Sequence, residues 1–334
     1  MKNKISLSDK IYISGANGMV GKAIVRSLKR HGYGNISNKG ALLLPTRQEL
    51  DLLDSQKVND WFSKNSPTIV INAAAKVGGI LANSTRPADF LLENLKIQTN
   101  IIEAAYKYNA KRFLFLGSSC IYPKFSEQPI KEEALLSSNL ESTNECYAIA
   151  KIAGIKLCEA LRKQYGFDAI SLMPTNLYGQ GDNYKKNDSH VMAALIRKFH
   201  EAKLYKHKEV ICWGSGEPLR EFMHVDDLGD AIVFALEKWD PDAKEAPVDS
   251  NNVPLNYLNV GTGKDISIKE LSEIISKEFE FEGKIYWDKS KPDGTPQKKL
   301  DVSRINKLGW KHKIKLKDGI KRAIVNYEEI QKWN

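Results

Sequence analysis

The stretch KIYISGANGMVGKAIVRSLKRHG, residues 10–32, decides the fold. It opens with a short apolar run, Ile11–Ile13, of a length that suits a buried strand. Glycines follow at 15, 18 and 21, and Val20, Ile24 and Leu28 then recur at helical spacing. Glycine permits a tight turn and a close backbone approach, and a helix starting there presents unpaired N–H groups at its first turn. Strand, glycine turn and helix in that order begin a doubly wound parallel sheet. In that context GxxGxxG reads as a cradle for the pyrophosphate of a dinucleotide, with a bare strand–helix turn as the plainer alternative.

The same alternation continues outward. ALLLPTR (41–47), TIVINAAAK (68–76), RFLFLGSS (112–119) and DAISLMPTN (168–176) are strand-like runs. Helical periodicity fills the gaps at 56–64, 88–108 and 144–164. The pattern predicts an α/β fold of Rossmann type, with helices on both faces of the sheet. After Tyr178 the rhythm loosens into a polar stretch, GQGDNYKKNDSH, and then a helix near 191–203. We read residues 1–175 as a dinucleotide-binding domain, with elements returning to it from about 208–235 and 250–265. Residues 176–334 are then mainly a smaller C-terminal substrate-binding lobe.

Fifty basic against 41 acidic residues give a net charge of +9. The lysines are scattered and form no nucleic-acid module, so a phosphate-bearing small ligand or a solvated surface fits better than nucleic acid. The N-terminus lacks the apolar core of a signal peptide, and no apolar run reaches spanning length, so no membrane partner is expected. Cys120, Cys146, Cys158 and Cys212 form no CxxC pair. Free thiols in a cytoplasmic chain without a metal site follow as the expectation.

A 2′-phosphate wants a cation near the end of the second strand, whereas a free 2′-hydroxyl wants a carboxylate. LLLPTRQELD offers Arg47 and no acid before Glu49, which favours NADP. Asp51 and Asp54 serve equally as adenine contacts or as turn and N-cap residues. NECYAIAKIAG puts Tyr147 and Lys151 one helical turn apart, on one face. An ammonium beside a phenol favours its ionised form, so such a pair can exchange a proton with a carbonyl oxygen. Ser118 and Ser119 end the strand between this pair and the glycine turn. Taken alone, Cys120 reads as core and His190 as a surface or capping residue.

Together GxxGxxG, NAAAKVGG, the strand-end serine and YxxxK resemble the extended short-chain dehydrogenase/reductase superfamily. Within it the chain is most similar to the GDP-L-fucose synthase branch, through FLGSSCIYPK, YAIAKIAGIKLCE, MPTNLYG, SHVMAAL, WGSGEPLREFMHVDD, NVGTG and KPDGTPQKKLD. The resemblance runs from near residue 15 to near 310. It implies 3,5-epimerisation of GDP-4-keto-6-deoxy-D-mannose followed by NADPH-dependent reduction of its C4 ketone to give GDP-L-fucose. Ser118 and Tyr147 would serve O4, Cys120 would be the base, His190 the acid, and Lys151 the partner of the tyrosine. The cofactor would lie on Gly15, Ala16, Asn17, Gly18, Met19, Val20 and Gly21, with Arg47 at its phosphate. Leu116, Gly117, Ser118, Ser119, Lys151, Pro174, Thr175, Asn176, Leu177 and His190 would line its nicotinamide end. Lys198, Trp213, Arg220 and Asp293 would hold the GDP-sugar. A cationic setting from Lys151 and the nicotinamide would favour the Cys120 thiolate. A homodimer through the helices at 88–108 and 144–164 is implied too.

The chain departs from the family pattern at Asn17 and Pro45, where cations can stand, and in a long approach to the second strand, GYGNISNKGALLLP. A 4-epimerase or 4,6-dehydratase on the same fold would not call for Cys120 with His190, and a dehydratase would want an acid pair absent from SSCIYP. A non-catalytic dinucleotide-binding regulator predicts decay of a catalytic position, yet Ser118, Cys120, Tyr147, Lys151 and His190 are all present.

Overall fold

The computed structural model describes residues 3–186, 188–291 and 293–332. The first half alternates as the sequence predicts: β1 (Lys10–Ser14), α1 (Met19–Arg30), β2 (Ala41–Leu43), α2 (Ser55–Asn65) and β3 (Ile69–Asn72). Then come α3 (Ile80–Thr85), α4 (Pro87–Lys107), β4 (Arg112–Leu116), α5 (Glu145–Tyr165) and β5 (Ala169–Pro174). Every residue of β3, β4 and β5 is buried, as expected of strands covered on both faces. Helix α1 packs on α7 (Val225–Lys238), while α2, α4 and α5 pack in a row, so both faces are covered.

The sheet is six-stranded and parallel, in the order β2-β1-β3-β4-β5-β9, where β9 is Tyr257–Val260. Its order reverses beside β1, so the glycine turn opens into the crevice where such sheets bind ligands. The elements that come back to this layer from the second half are α7 and β9. The intervening strands do not join it. β6 (Asn176–Tyr178), β7 (Glu209–Trp213) and β8 (Leu219–His224) belong to smaller sheets.

Those smaller sheets are completed by β10 (Asp265–Ser267), β11 (Lys284–Asp288) and β12 (Gln297–Lys298). β8 is central: it pairs antiparallel with β10 and parallel with β12 and β6, while β11 pairs with β7. A second core forms here from Met192, Leu195 and Phe199 of α6 (Val191–Leu204) and Leu271 and Ile275 of α8 (Ile268–Glu278). Ile320 and Ile324 of α10 (Leu316–Gln331) complete it, and α9 (Ser303–Leu308) packs back against β9. Among the described residues no helix is long and apolar enough to cross a membrane.

Two buried polar groups lock the layers together. The Glu221 carboxylate of β8 accepts N–H groups from Thr262 (2.5 Å) and Gly263 (2.8 Å), just past β9, and from Leu300 (2.8 Å). Asn259 of β9 accepts the Tyr122 hydroxyl (2.6 Å) and donates to the Ile130 carbonyl (2.9 Å). A buried carboxylate or amide is tolerable only when its hydrogen-bonding capacity is met, so both positions fix the geometry around them.

Candidate active site

The glycine turn is built by close approach. Gly15 has φ +71°, and a Cβ there would lie 2.9 Å from the Ala74 backbone. A Cβ on Gly21 would fall 2.1 Å from the Gly15 carbonyl oxygen, so only glycine lets α1 start this near β1. Gly18 precedes α1 without a side-chain cap, which leaves first-turn amides of Met19, Val20 and Gly21 for an anionic ligand. Ala16 is buried under the turn, whereas Asn17 faces solvent. Arg47 is exposed beyond β2, and Glu49, the first acid after the strand, is turned back onto the Thr46 N–H (2.7 Å). Asp54 caps α2 through the Lys57 N–H and Asp51 accepts the Leu53 N–H, both at 3.1 Å, so these two are structural. The cradle fits a dinucleotide.

Leu116 ends β4, and Gly117 leads into Ser118, whose extended backbone (φ −163°) starts a short 3₁₀ turn. Ser118 Oγ accepts the Cys120 N–H at 3.2 Å, and Ser119 is buried. Across from them, Tyr147 and Lys151 share a face of α5. Lys151 is 4% exposed and donates to the Leu116 carbonyl at 2.8 Å. Burial lowers its pKa to about 8. The Tyr147 phenol is pushed up, by burial first and then by the Cys120 charge, against a hydrogen bond with Ser118. Tyr147 is therefore a neutral proton donor here, which corrects the expectation that the lysine would favour its ionisation. The Lys151 Nζ lies 6.0 Å from the Tyr147 ring, and desolvation outweighs it.

Cys120 is half-buried, and its sulfur receives a contact from Lys298 Nζ at 3.5 Å. Burial alone would raise the thiol, but the Lys298 ammonium, hydrogen bonds from Ser118 and Lys298, and Arg220 turn the net shift downward. The cation at the thiol is thus Lys298 and not Lys151, a second correction. His190 stands immediately before α6 without capping it, and its pKa is lowered by desolvation and then by Lys298. One ammonium therefore acts on both Cys120 and His190.

Arg220 of β8 is registered opposite Lys298 of β12, so both cations project from one face of the small sheet. Its guanidinium donates to the Leu219 and Asp293 carbonyls (2.8 and 3.4 Å). Asp293 Oδ1 accepts the Ser215 N–H at 2.7 Å and so pins the turn after Trp213. Trp213 is 54% exposed and is not core. Lys198 Nζ sits 5.6 Å from its ring and donates to the Ile211 carbonyl at 2.7 Å, beside a cavity of about 440 Å³ between α6 and β7. Pro174 ends β5; Thr175 and Asn176 donate to the Glu221 carbonyl (3.2 and 2.8 Å), and Leu177 is half-buried in β6. His224 accepts the Asp226 N–H as the cap of α7, a structural role.

The sequence model described as "NAD dependent epimerase/dehydratase family" matches residues 11–248. The chain belongs to that family. It is 52% identical over 321 residues to GDP-L-fucose synthase 1 of Arabidopsis thaliana, spanning 95% of this chain and 94% of the relative. To the GDP-L-fucose synthase of Escherichia coli K12 it is 50% identical over 311 residues, spanning 93% and 94%. The solved structure described as "MlghC, GDP-mannoheptose C4 reductase from Campylobacter jejuni with NADP bound" is 37% identical with a TM-score of 0.84. That likeness covers 97% of this chain and 99% of the other.

Within this epimerase/dehydratase chain, sequence reasoning brought Ser118, Cys120, Tyr147 and Lys151 to one place and missed Lys298. The signal was present in KPDGTPQKKLD, but two adjacent lysines in a loop say nothing of which one turns inward. Lys151 generates a prediction. Its folded pKa of about 8 is below the ordinary lysine value, so burial of the charge costs stability in full at neutral pH. That cost is relieved as pH rises through about 8, because the folded protein sheds the proton first. Removing the ammonium lifts a penalty on the order of 3 kcal/mol but leaves the Leu116 carbonyl without its donor, at about 1 kcal/mol. The ligand-free Lys151→Met variant should melt at or above the wild-type temperature near pH 7, with the advantage closing toward alkaline pH. Scanning fluorimetry across pH checks this.

Proposed function

We infer that this chain is a GDP-L-fucose synthase, converting GDP-4-keto-6-deoxy-D-mannose into GDP-L-fucose by 3,5-epimerisation and reduction at C4. The observation that carries this reading is a thiol with a lowered pKa beside a serine–tyrosine pair suited to a ketone oxygen. A simple reductase needs the serine–tyrosine pair alone. An epimerase also needs a base for the acidic C–H bonds on either side of the ketone.

Ser118 and Tyr147 hold O4. Cys120 Sγ removes the proton from C3 or C5, the electron pair moves onto O4, and the enolate is stabilised by the two hydroxyl donors. His190 returns a proton to the opposite face of the carbon, inverting it. In the second phase Tyr147 gives its proton to O4, with the Lys151 ammonium one helical turn away on the same face of α5. The hydride that reduces C4 would come from NADPH when it is bound. The cofactor would be held by Gly15–Gly21, Leu116–Ser119, Lys151, Pro174–Leu177 and His190, with Arg47 at its 2′-phosphate. The parallel-sheet unit thus carries the cofactor. The second lobe carries the GDP end through Arg220, Asp293, Trp213 and Lys198, the cations matching the diphosphate. Two copies associate through α4 and α5, which leave Leu92 and Ile149 exposed.

Three measurements test this reading. In D₂O the wild type should incorporate deuterium at C3 and C5 of GDP-4-keto-6-deoxy-D-mannose without NADPH. Cys120→Ser should lose that exchange by roughly 100-fold or more while still reducing the ketone to a non-epimerised sugar. Exchange at the wild-type rate would sink the assignment of the base. Arg47→Ala should lower kcat/KM for NADPH about 10- to 100-fold, the worth of one charge-assisted contact, and leave NADH turnover nearly unchanged. Light scattering should return twice the 37.6 kDa chain mass. A monomer would remove the α4–α5 interface.

A further inference from the structure

We propose that Lys298 is a positioning residue for the epimerisation, the counter-ion that holds Cys120 in its thiolate form. This rests on the reading of Cys120 as the base. Lys298 is half-buried, and its one hydrogen-bonding partner among the described residues is the Cys120 sulfur. The neighbouring Lys299 instead pairs with Asp265 at 3.6 Å. Successive side chains along a strand point to opposite faces, so one lysine goes to the acid and the other to the thiol.

The placement is fixed from two sides. β12 pairs with β8, which sets Lys298 beside Arg220. On its other edge the backbone is tied to the segment that follows Cys120: Gln128 Nε2 donates to the Gln297 carbonyl at 3.2 Å, the Lys299 N–H to Gln128 Oε1 at 2.9 Å, and the Ile130 N–H to the Lys299 carbonyl at 2.7 Å. The loop that carries the cysteine thus also holds the lysine's strand.

Other thiols of the same chain act as internal controls. Cys158 is buried with a serine neighbour, Ser171, and burial drives its pKa up. Cys212 is buried with Lys198 acting on it, and there too burial wins. At Cys120, unlike at Cys158 and Cys212, the surroundings overcome desolvation, and Lys298 is the first of the groups that do so. The groups facing the sulfur are Lys298 of β12, Arg220 of β8, Ser118 of its own turn and Tyr147 of α5, the last opposing the thiolate. Lys151 is turned to the Leu116 carbonyl. The Lys298 charge also opposes protonation of His190, which makes that imidazolium a readier proton donor.

The test is the rate at which iodoacetamide alkylates Cys120, followed across pH on the Cys120 peptide by mass spectrometry. Lys298→Met should move the pH midpoint up by about one unit or more, and slow alkylation about tenfold near neutrality. Lys298→Arg should restore most of it. Deuterium exchange at C3 and C5 should show the same displaced pH midpoint. An unchanged alkylation midpoint in Lys298→Met would overturn the proposal, as would a raised KM for the GDP-sugar without a displaced midpoint, the mark of a diphosphate contact. Circular dichroism confirms folding, and Lys298→Gln replaces the methionine variant if that one misfolds. Should wild type itself exchange no deuterium, the functional reading fails, but alkylation still decides whether Lys298 controls the thiol.

Discussion

The architecture around the site depends on one buried carboxylate. Among the described residues Glu221 has no cation against it; its charge is met by the N–H groups of Thr262, Gly263 and Leu300. Burial pushes its carboxyl up and those donors hold it back. Because an unsatisfied buried carboxylate costs several kcal/mol, β8 can sit only where the turn after β9 and the backbone at Leu300 meet it. The next side chain back along β8 is Arg220, which alternation turns to the other face, where its charge acts on Cys120. Fixing Glu221 therefore fixes Arg220, and through strand pairing it fixes Lys298.

β9 is the shared footing. Its Asn259 holds Tyr122, two residues past Cys120, while the turn after it holds Glu221. The thiol and the cations that act on it are thus hung from a single strand. A site whose acid–base balance depends on a sulfur–nitrogen distance needs such rigidity, because Coulomb energies at low dielectric change steeply over an ångström.

The site also runs against stability in an informative way. Lys151 is buried without a carboxylate partner among the described residues, and Cys120 keeps a lowered pKa in a half-buried place. Each would be replaced by an apolar residue if stability alone were selected. Their retention fits groups that must change protonation near neutral pH, a need that perturbed values serve. Tyr147 moves the other way, and as a neutral donor it suits an oxygen that accumulates negative charge.

The sequence by itself determined whatever rests on local periodicity. The glycine turn, the all-apolar strands and the α5 face carrying Tyr147 and Lys151 need only spacing, because backbone geometry repeats every two or 3.6 residues. Ser118 was legible as a strand end, and the resemblance supplied Cys120 and His190 their roles. Tertiary structure alone decided which cation meets the thiol. Lys298 lies 178 residues from Cys120, on a strand of two residues whose direction is set by pairing with β8 and not by its own composition. It likewise decided that Lys151 turns to a carbonyl, that Trp213 is exposed, and that β7 and β8 stay out of the main sheet while α7 and β9 return to it. Periodicity specifies which face of an element is apolar; only packing specifies what that face meets.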